Sequence, residues 1–382
     1  MTDAELKTKI AVLVVDDSAV MRRILATVLE KDPEINVIGF ASNGLEAIEA
    51  IEAVARLKPQ VVTLDIEMPK LDGIAALKEI RKFAPRLPVI MFSTLTQSGA
   101  RAAIDALMSG ASDYVGKPDA SQGMEGAFTV LQQVLIPKIK GLTRRPLVQR
   151  ALASPQPMDV PRTAPPADSG RAETVRAAPH PLETGRRMEA VCIGVSTGGP
   201  MALVSLFEGL RPSVRTPIFI VQHMPAMFTA ILAKRLNALG RMPVQEGVHG
   251  QEVQDGHVYL APGGLHMSLK RSSLGKIRLE LDDTPPENFC KPAVDVLFRS
   301  AARVYGANCL AIVLTGMGHD GLQGARAVKA AGGTVYAQDR ESSVIWGMPG
   351  AIVNEGLQSK TLPLSQVAGE ILRWSAPSPG SE

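Results

Sequence analysis

The sequence predicts an α/β chain of two doubly wound parallel-sheet domains, and three observations carry that expectation. Short β-branched runs alternate with helical periods in both halves, a proline-rich segment separates the two alternations, and polar residues follow the apolar runs. The length of 382 residues fits, since domains of about 100–200 residues allow two or three here. An apolar fraction of 45% beside 21% charged residues is ordinary for folded chains and excludes global disorder.

In the first half, Ile10–Val15 reads as a buried strand, followed by apolar pairs at Val20/Met21, Ile24/Leu25 and Val28/Leu29 at helical spacing. Further strands are expected at Val37–Phe40, Val61–Leu64, Val89–Phe92 and Tyr114–Val115, with a last helix over Gly126–Ile139. After the separating segment, strands are expected at Val191–Val195, Ile218–Val221, Leu310–Leu314 and Thr334–Ala337. Between them, His257–Leu260 and His266–Leu269 flank a Pro-Gly-Gly turn and Ile277–Leu281 alternates strictly, which predicts an antiparallel β insertion.

The separating segment holds eight prolines between Arg144 and Pro181 and no aromatic residue, so no core can form there. The expected organisation is a first domain over 1–138, a disordered Pro/Ala/Arg-rich linker over 139–188, and a second domain over 189–376. Between Gly141 and Arg187 there are eight Arg and four acids, a local +4. The whole chain carries +3, so the remainder is about −1 (3 minus 4), which argues against a nucleic-acid-binding output domain. Three unclustered cysteines, no apolar run long enough to span a bilayer and no visible signal peptide point to a cytoplasmic chain. A monomer is the simplest expectation.

Four strand ends of the first half carry chemistry: Asp16 and Asp17, then Asp65, then Ser93, then Lys117. Carboxyl ends of an open parallel sheet share one edge, so these residues can converge. Three carboxylates together repel unless a hard cation holds them, and Mg²⁺ suits oxygen ligands. A lysine and a hydroxyl beside them suit a phosphoryl group. Val14–Ser18 (VVDDS), Leu64–Pro69 (LDIEMP), Ser93 and Lys117-Pro118 resemble the receiver domain of bacterial response regulators, which is flavodoxin-like. The resemblance implies that Asp65 accepts phosphate from a histidine kinase and that Asp16, Asp17 and Asp65 bind Mg²⁺. It also implies that Ser93, Tyr114 and Lys117 form the switch that responds to phosphate.

In the second half, Gly194–Gly198 (GVSTG) satisfies G-x-S-x-G between a strand and a glycine-opened helix, a context that projects a serine hydroxyl. Taken alone, the motif suits a hydrolase and a phosphate binder equally. His223 and Asp320 also follow buried strands, so Ser196, His223 and Asp320 can meet at one sheet edge, as nucleophile, base and orienting acid require. A metal site from His223, His319 and Asp320 has no ligand-spacing motif behind it. His249, His257, His266 and His319 read as structural or solvated.

GVSTGGP at Gly194–Pro200, QHMP at Gln222–Pro225, YLAPGG at Tyr259–Gly264, PAVD at Pro292–Asp295, LTGMGHDG at Leu314–Gly321 and WGMP at Trp346–Pro349 carry a further resemblance. They resemble the chemotaxis response-regulator protein-glutamate methylesterase/glutamine deamidases (CheB type), whose catalytic domain is Rossmann-like. The resemblance implies hydrolysis of glutamate γ-methyl esters, and deamidation of specific glutamines, on the cytoplasmic helices of methylated chemoreceptors. It assigns Ser196 as nucleophile, His223 as general base and then acid, and Asp320 as its partner, with Thr197 and the Met317 backbone supporting the intermediate. It implies no cofactor for the esterase chemistry, Mg²⁺ for phosphorylation, and inhibition by the unphosphorylated receiver. Cys290-Lys291 stands where the family usually has a His-Arg pair.

Overall fold

The computed structural model describes residues 9–53, 58–94, 96–117, 123–143 and 188–375. In the first domain the elements run β1 (Ile10–Val15), α1 (Ala19–Glu30), β2 (Ile35–Ala41), α2 (Gly44–Ala53), β3 (Val61–Asp65), α3 (Gly73–Phe83), β4 (Val89–Ser93), α4 (Gln97–Met108), β5 (Asp113–Gly116) and α5 (Gly123–Thr143). The strands pair in parallel in the order β2-β1-β3-β4-β5. Helices on both faces explain why Val12–Val15 and Val61–Leu64 are buried on either side of the pleat. Helix starts are set by short polar caps: Ser18 Oγ accepts from Met21 N at 3.3 Å, and Asp72 Oδ1 from Ala75 N at 2.8 Å. The strand order reverses between β1 and β3, so Asp16 and Asp65 lie at the topological switch point.

Helix α5 corrects the expected end of this domain. Residues 139–143, assigned to the linker, are its last turn, because Ile139 and Leu142 continue the apolar stripe and are buried. Met188 is buried too, so the second domain begins there. The rest of the expected linker lies outside the described residues, as does Pro118.

The second domain runs β6 (Ala190–Val195), α6 (Gly199–Gly209), β7 (Ile218–Gln222), α7 (Ala226–Ala238), β8 (Val244–Glu246), β9 (Val258–Leu260), β10 (His266–Arg271), β11 (Ile277–Asp282) and α8 (Val294–Tyr305). A 3₁₀ turn over Gly306–Asn308 leads into β12 (Cys309–Val313), α9 (Leu322–Ala330), β13 (Thr334–Gln338), α10 (Met348–Asn354), β14 (Lys360–Leu362) and α11 (Leu364–Ser375). The main sheet has the order β14-β13-β12-β6-β7-β9-β8, parallel throughout. Among the described strands, only β10 and β11 pair antiparallel. The expected insertion is therefore smaller than its pattern suggested: Val258–Leu260 joins the parallel sheet, being three fully buried residues with no polar face to present elsewhere. Among the described residues no helix is long and apolar enough to cross a membrane.

The two domains pack against each other. Helix α4 lies on α6 and α7. Tyr114 of β5 stacks on Phe228 of α7 with ring centroids 4.4 Å apart. Arg235 of α7 pairs with Asp105 of α4, and Ile345 joins Ile139 and Leu142 of α5 in one apolar cluster.

Candidate active site

The turn after β6 is shaped by two glycines. A Cβ on Gly194 would fall 2.3 Å from Val294, and Gly198 holds φ +78 against Val344, so neither tolerates a side chain. Ser196 between them donates its backbone N–H to Thr315 and accepts at its carbonyl from Gly199 N and Gln222 Nε2. Helix α6 then opens with Pro200 in its first turn, where the missing N–H costs no intrahelical bond.

Adjacent strands β6, β7 and β12 bring the three expected residues to one edge. His223 Nε2 lies 2.8 Å from Asp320 Oδ2. Asp320 is held by the backbone N–H groups of Val294, Asp295 and Gly321 and by Asn288 Nδ2, at 2.6–3.0 Å. Burial pushes the pKa of this carboxyl up, but the His223 bond and these donors outweigh it and keep the group below its usual range. Burial pulls His223 toward neutrality, but Asp320 and Cys290 outweigh it, and the imidazole is pushed up to about 9. Ser196 and His223 line one small cavity of about 20 Å³, room for roughly one water molecule. Among the described residues no hydrogen bond joins Ser196 to His223. The ring's second nitrogen, Nδ1, instead faces Cys290 Sγ at 3.5 Å.

The first domain closes that cavity with Leu107, Asp113, Tyr114 and Lys138. Thr197, beside the serine, donates its buried hydroxyl to Asp113 Oδ2 at 2.6 Å. Asp113 Oδ1 meets Lys138 Nζ at 2.7 Å and accepts from Tyr114 N at 2.8 Å. The Thr197 hydroxyl is thus committed to the other domain in this state, while Met317 is partly exposed near α5. Asp113, Phe228 and Asn288 were missed by sequence reasoning. Their partners lie in distant segments, and no spacing rule reports them.

Ligand atoms of His223, Cys290 and Asp320 also fall within 4.8 Å of one another. That set fits a metal poorly, because both oxygens of Asp320 are already spent on N–H donors. His319 is not part of it.

At the first domain's strand ends, Asp16, Asp17 and Asp65 offer ligand oxygens within 4.8 Å of one another. Lys117 Nζ donates to Asp65 Oδ2 at 2.7 Å. Asp16 Oδ2 is buried and lies 3.2 Å from the same ammonium, but outside hydrogen-bonding geometry. Burial chiefly, with the Asp16 charge adding, pushes the Asp65 carboxyl up to about 6 against the pull of Lys117. A buried Asp16 oxygen that accepts no hydrogen bond, among three acids, fits a hard divalent cation. Ser93, buried at the end of β4, gives its hydroxyl to Thr94 O at 3.1 Å.

Residues 191–371 match the CheB methylesterase family and residues 12–128 the response regulator receiver domain. A protein-glutamate methylesterase/protein-glutamine glutaminase of Nocardioides sp. is 45% identical over 95% of both chains. One of Trichodesmium erythraeum is 43% identical over 96% of this chain and 99% of its own. The Thermotoga maritima CheB methylesterase catalytic domain is 41% identical, covering 49% of this chain and 98% of that one, with a TM-score of 0.48.

Proposed function

The chain belongs to the CheB methylesterase family, with a response regulator receiver domain ahead of the catalytic domain, and from that membership we propose a phosphorylation-activated Ser196-His223-Asp320 hydrolase of glutamate γ-methyl esters on chemoreceptor helices. The observation that carries the reading is the His223–Asp320 bond at the edge where Ser196 enters the same cavity. Ser196 Oγ attacks the ester carbonyl while His223 Nδ1 takes its proton; Nε2 stays on Asp320 throughout. We assign stabilisation of the developing oxyanion to backbone N–H groups around Thr197 and Met317. His223 returns the proton to the departing methoxide, giving methanol, and water then frees the glutamate. A primary amide follows the same course with ammonia leaving, which accounts for a glutaminase activity on one site.

The closed cavity supports regulation by the receiver. About one water fits beneath Tyr114 and Asp113, so an ester on a receptor helix is excluded until the domains separate. We assign phosphate acceptance from a histidine kinase to Asp65, and Mg²⁺ binding to Asp16, Asp17 and Asp65. Bound there, Mg²⁺ would supply charge neutralisation for the phosphoryl group, whose oxygens Lys117 and Ser93 would contact. The test is methanol release from membranes bearing methylated chemoreceptors, with and without a small phosphodonor and Mg²⁺. Release that the donor increases supports the reading, and absence of methanol under both conditions overturns it.

The carboxylate cluster makes a separate expectation. Because Asp65 is raised in the fold, its favourable contribution is present below about pH 4 and lost as pH rises through about 6, on the order of 3 kcal/mol. Mg²⁺ relieves that repulsion only when the acids are ionised. Its addition should therefore raise the receiver's melting temperature more at pH 7 than at pH 5. Equal shifts at both pH values would remove the cluster as the binding site.

A further inference from the structure

Cys290 shares the candidate base with Ser196. Its sulfur lies 3.5 Å from His223 Nδ1, while His223 Nε2 is bonded to Asp320 at 2.8 Å. The result is a second nucleophile–imidazole–carboxylate line, ending on sulfur instead of oxygen.

A strained turn puts the thiol there. Cys290 N donates to Glu287 O at 2.8 Å, and Glu287 N to Cys290 O at 3.1 Å, closing a two-residue turn. Its central residues, Asn288 and Phe289, hold φ of 53 and 62, the left-handed region, although neither is glycine. The strain is held by Asn288 Nδ2, which donates to Asp295 Oδ2 and to Asp320 Oδ1. Glu287 is clamped by both guanidinium nitrogens of Arg299 at 2.6 Å. One carboxylate, Asp320, thus fixes both the imidazole and the turn that carries the sulfur. Cys290 is partly exposed, whereas Cys192 and Cys309 are wholly buried.

We propose that Cys290 is a peroxide-sensitive modification site whose oxidation disables His223 as a base. In the fraction of molecules whose ring is neutral, which grows as pH rises toward about 9, Nδ1 takes the thiol proton, and Asp320 stabilises the imidazolium so formed. The sulfur attacks one peroxide oxygen, an S–O bond forms and the O–O bond breaks. The departing hydroxide takes the proton from the imidazolium and leaves as water. Sulfur is oxidised by two electrons and the peroxide is reduced by two. The sulfenic acid beside Nδ1 then obstructs proton transfer from Ser196, and a thiol reductant reverses it. The reactivity of the sulfur stands on this geometry alone; its consequence for turnover rests on the esterase reading.

The test uses the full-length chain, with iodoacetamide and hydrogen peroxide as probes and peptide mass spectrometry as readout. Removal of the thiol proton by Nδ1 during attack should speed the reaction about tenfold over a thiol with no base beside it. Cys290 should be alkylated at least about tenfold faster than Cys192 or Cys309, and His223→Ala should remove most of that advantage. Asp320→Asn, which leaves the ring in place, should slow alkylation in the same direction. Peroxide should stop methanol release by the wild type, dithiothreitol should restore it, and Cys290→Ala should lose no activity to peroxide. Alkylation of Cys290 at one rate in wild type and both variants would overturn the proposal, as would equal peroxide sensitivity in Cys290→Ala. Imidazole-dependent alkylation in a chain that releases no methanol would retain the reactive thiol and reject the esterase instead.

Discussion

Ser196→Ala and His223→Ala are each expected to lower methanol release by about 10⁴- to 10⁶-fold, and Asp320→Asn by about 10³- to 10⁴-fold. The first two remove the attacking oxygen and its base outright. The third keeps the imidazole but leaves its Nε2 proton without a charged acceptor, and turns one of the two oxygens that accept from Val294 N and Asp295 N into an NH₂ donor. Phosphate incorporation at Asp65 should continue in all three variants, which separates chemistry from signalling. Wild-type turnover by Ser196→Ala would reject the nucleophile. The pH profile tests the same base. An imidazole pushed up to about 9 is protonated at neutral pH and cannot accept the serine proton, so activity should rise as pH increases toward that value. Part of that rise in His223 comes from Cys290, and Cys290→Ala should therefore shift the acidic limb to lower pH. An unshifted limb would show that the thiol does not tune the ring.

The residues behind these expectations were legible because parallel α/β topology has few degrees of freedom. Once Ile10–Val15, Val61–Asp65 and Ile218–Gln222 read as buried strands, Asp16, Asp65 and His223 had to share edges with their partners. Two kinds of feature left no such trace. Asp113–Thr197 and Tyr114–Phe228 depend on how two separate sheets dock, and no periodicity within either domain encodes that. Cys290 was visible as a departure from the family pattern, but its approach to Nδ1 depends on a left-handed Asn288-Phe289 pair, and turn preferences favour Asn there but not Phe. The expected helix stops at Ile139, yet α5 runs on to Thr143, with Leu142 buried in the cluster that holds Ile345. The three-residue β9 is too short for alternation to distinguish a parallel from an antiparallel partner.

Separating the two domains is expected to raise esterase activity of the unphosphorylated chain by roughly 5- to 150-fold, the range of a typical coupling free energy of about 1–3 kcal/mol. The contacts that hold them are of similar size. The buried Thr197–Asp113 bond to a carboxylate contributes about 1.5–3 kcal/mol, and the Tyr114–Phe228 stack about 0.5–1.5 kcal/mol beyond its area. The half-exposed Arg235–Asp105 pair contributes at most about 1 kcal/mol. Asp113→Ala should therefore activate more than Asp105→Ala, and Tyr114→Ala should fall between them. Tyr114 also gives a route from the phosphate to the mouth of the cavity. Its ring leans on the second domain, and its strand pairs Met91 two residues before Ser93, so a shift of Ser93 toward a phosphoryl oxygen disturbs the stack. A phosphodonor with Mg²⁺ should then activate the wild type but add little to Asp113→Ala, since an effector acts only through its differential affinity for the two arrangements. Asp65→Ala should stay at the low basal rate whatever donor is supplied, whereas Asp65→Ala combined with Asp113→Ala should be active without one. If Asp113→Ala and Tyr114→Ala both turn over at the unphosphorylated wild-type rate, the receiver does not act by covering Ser196, and phosphate on Asp65 must work instead by recruiting the enzyme to its substrate.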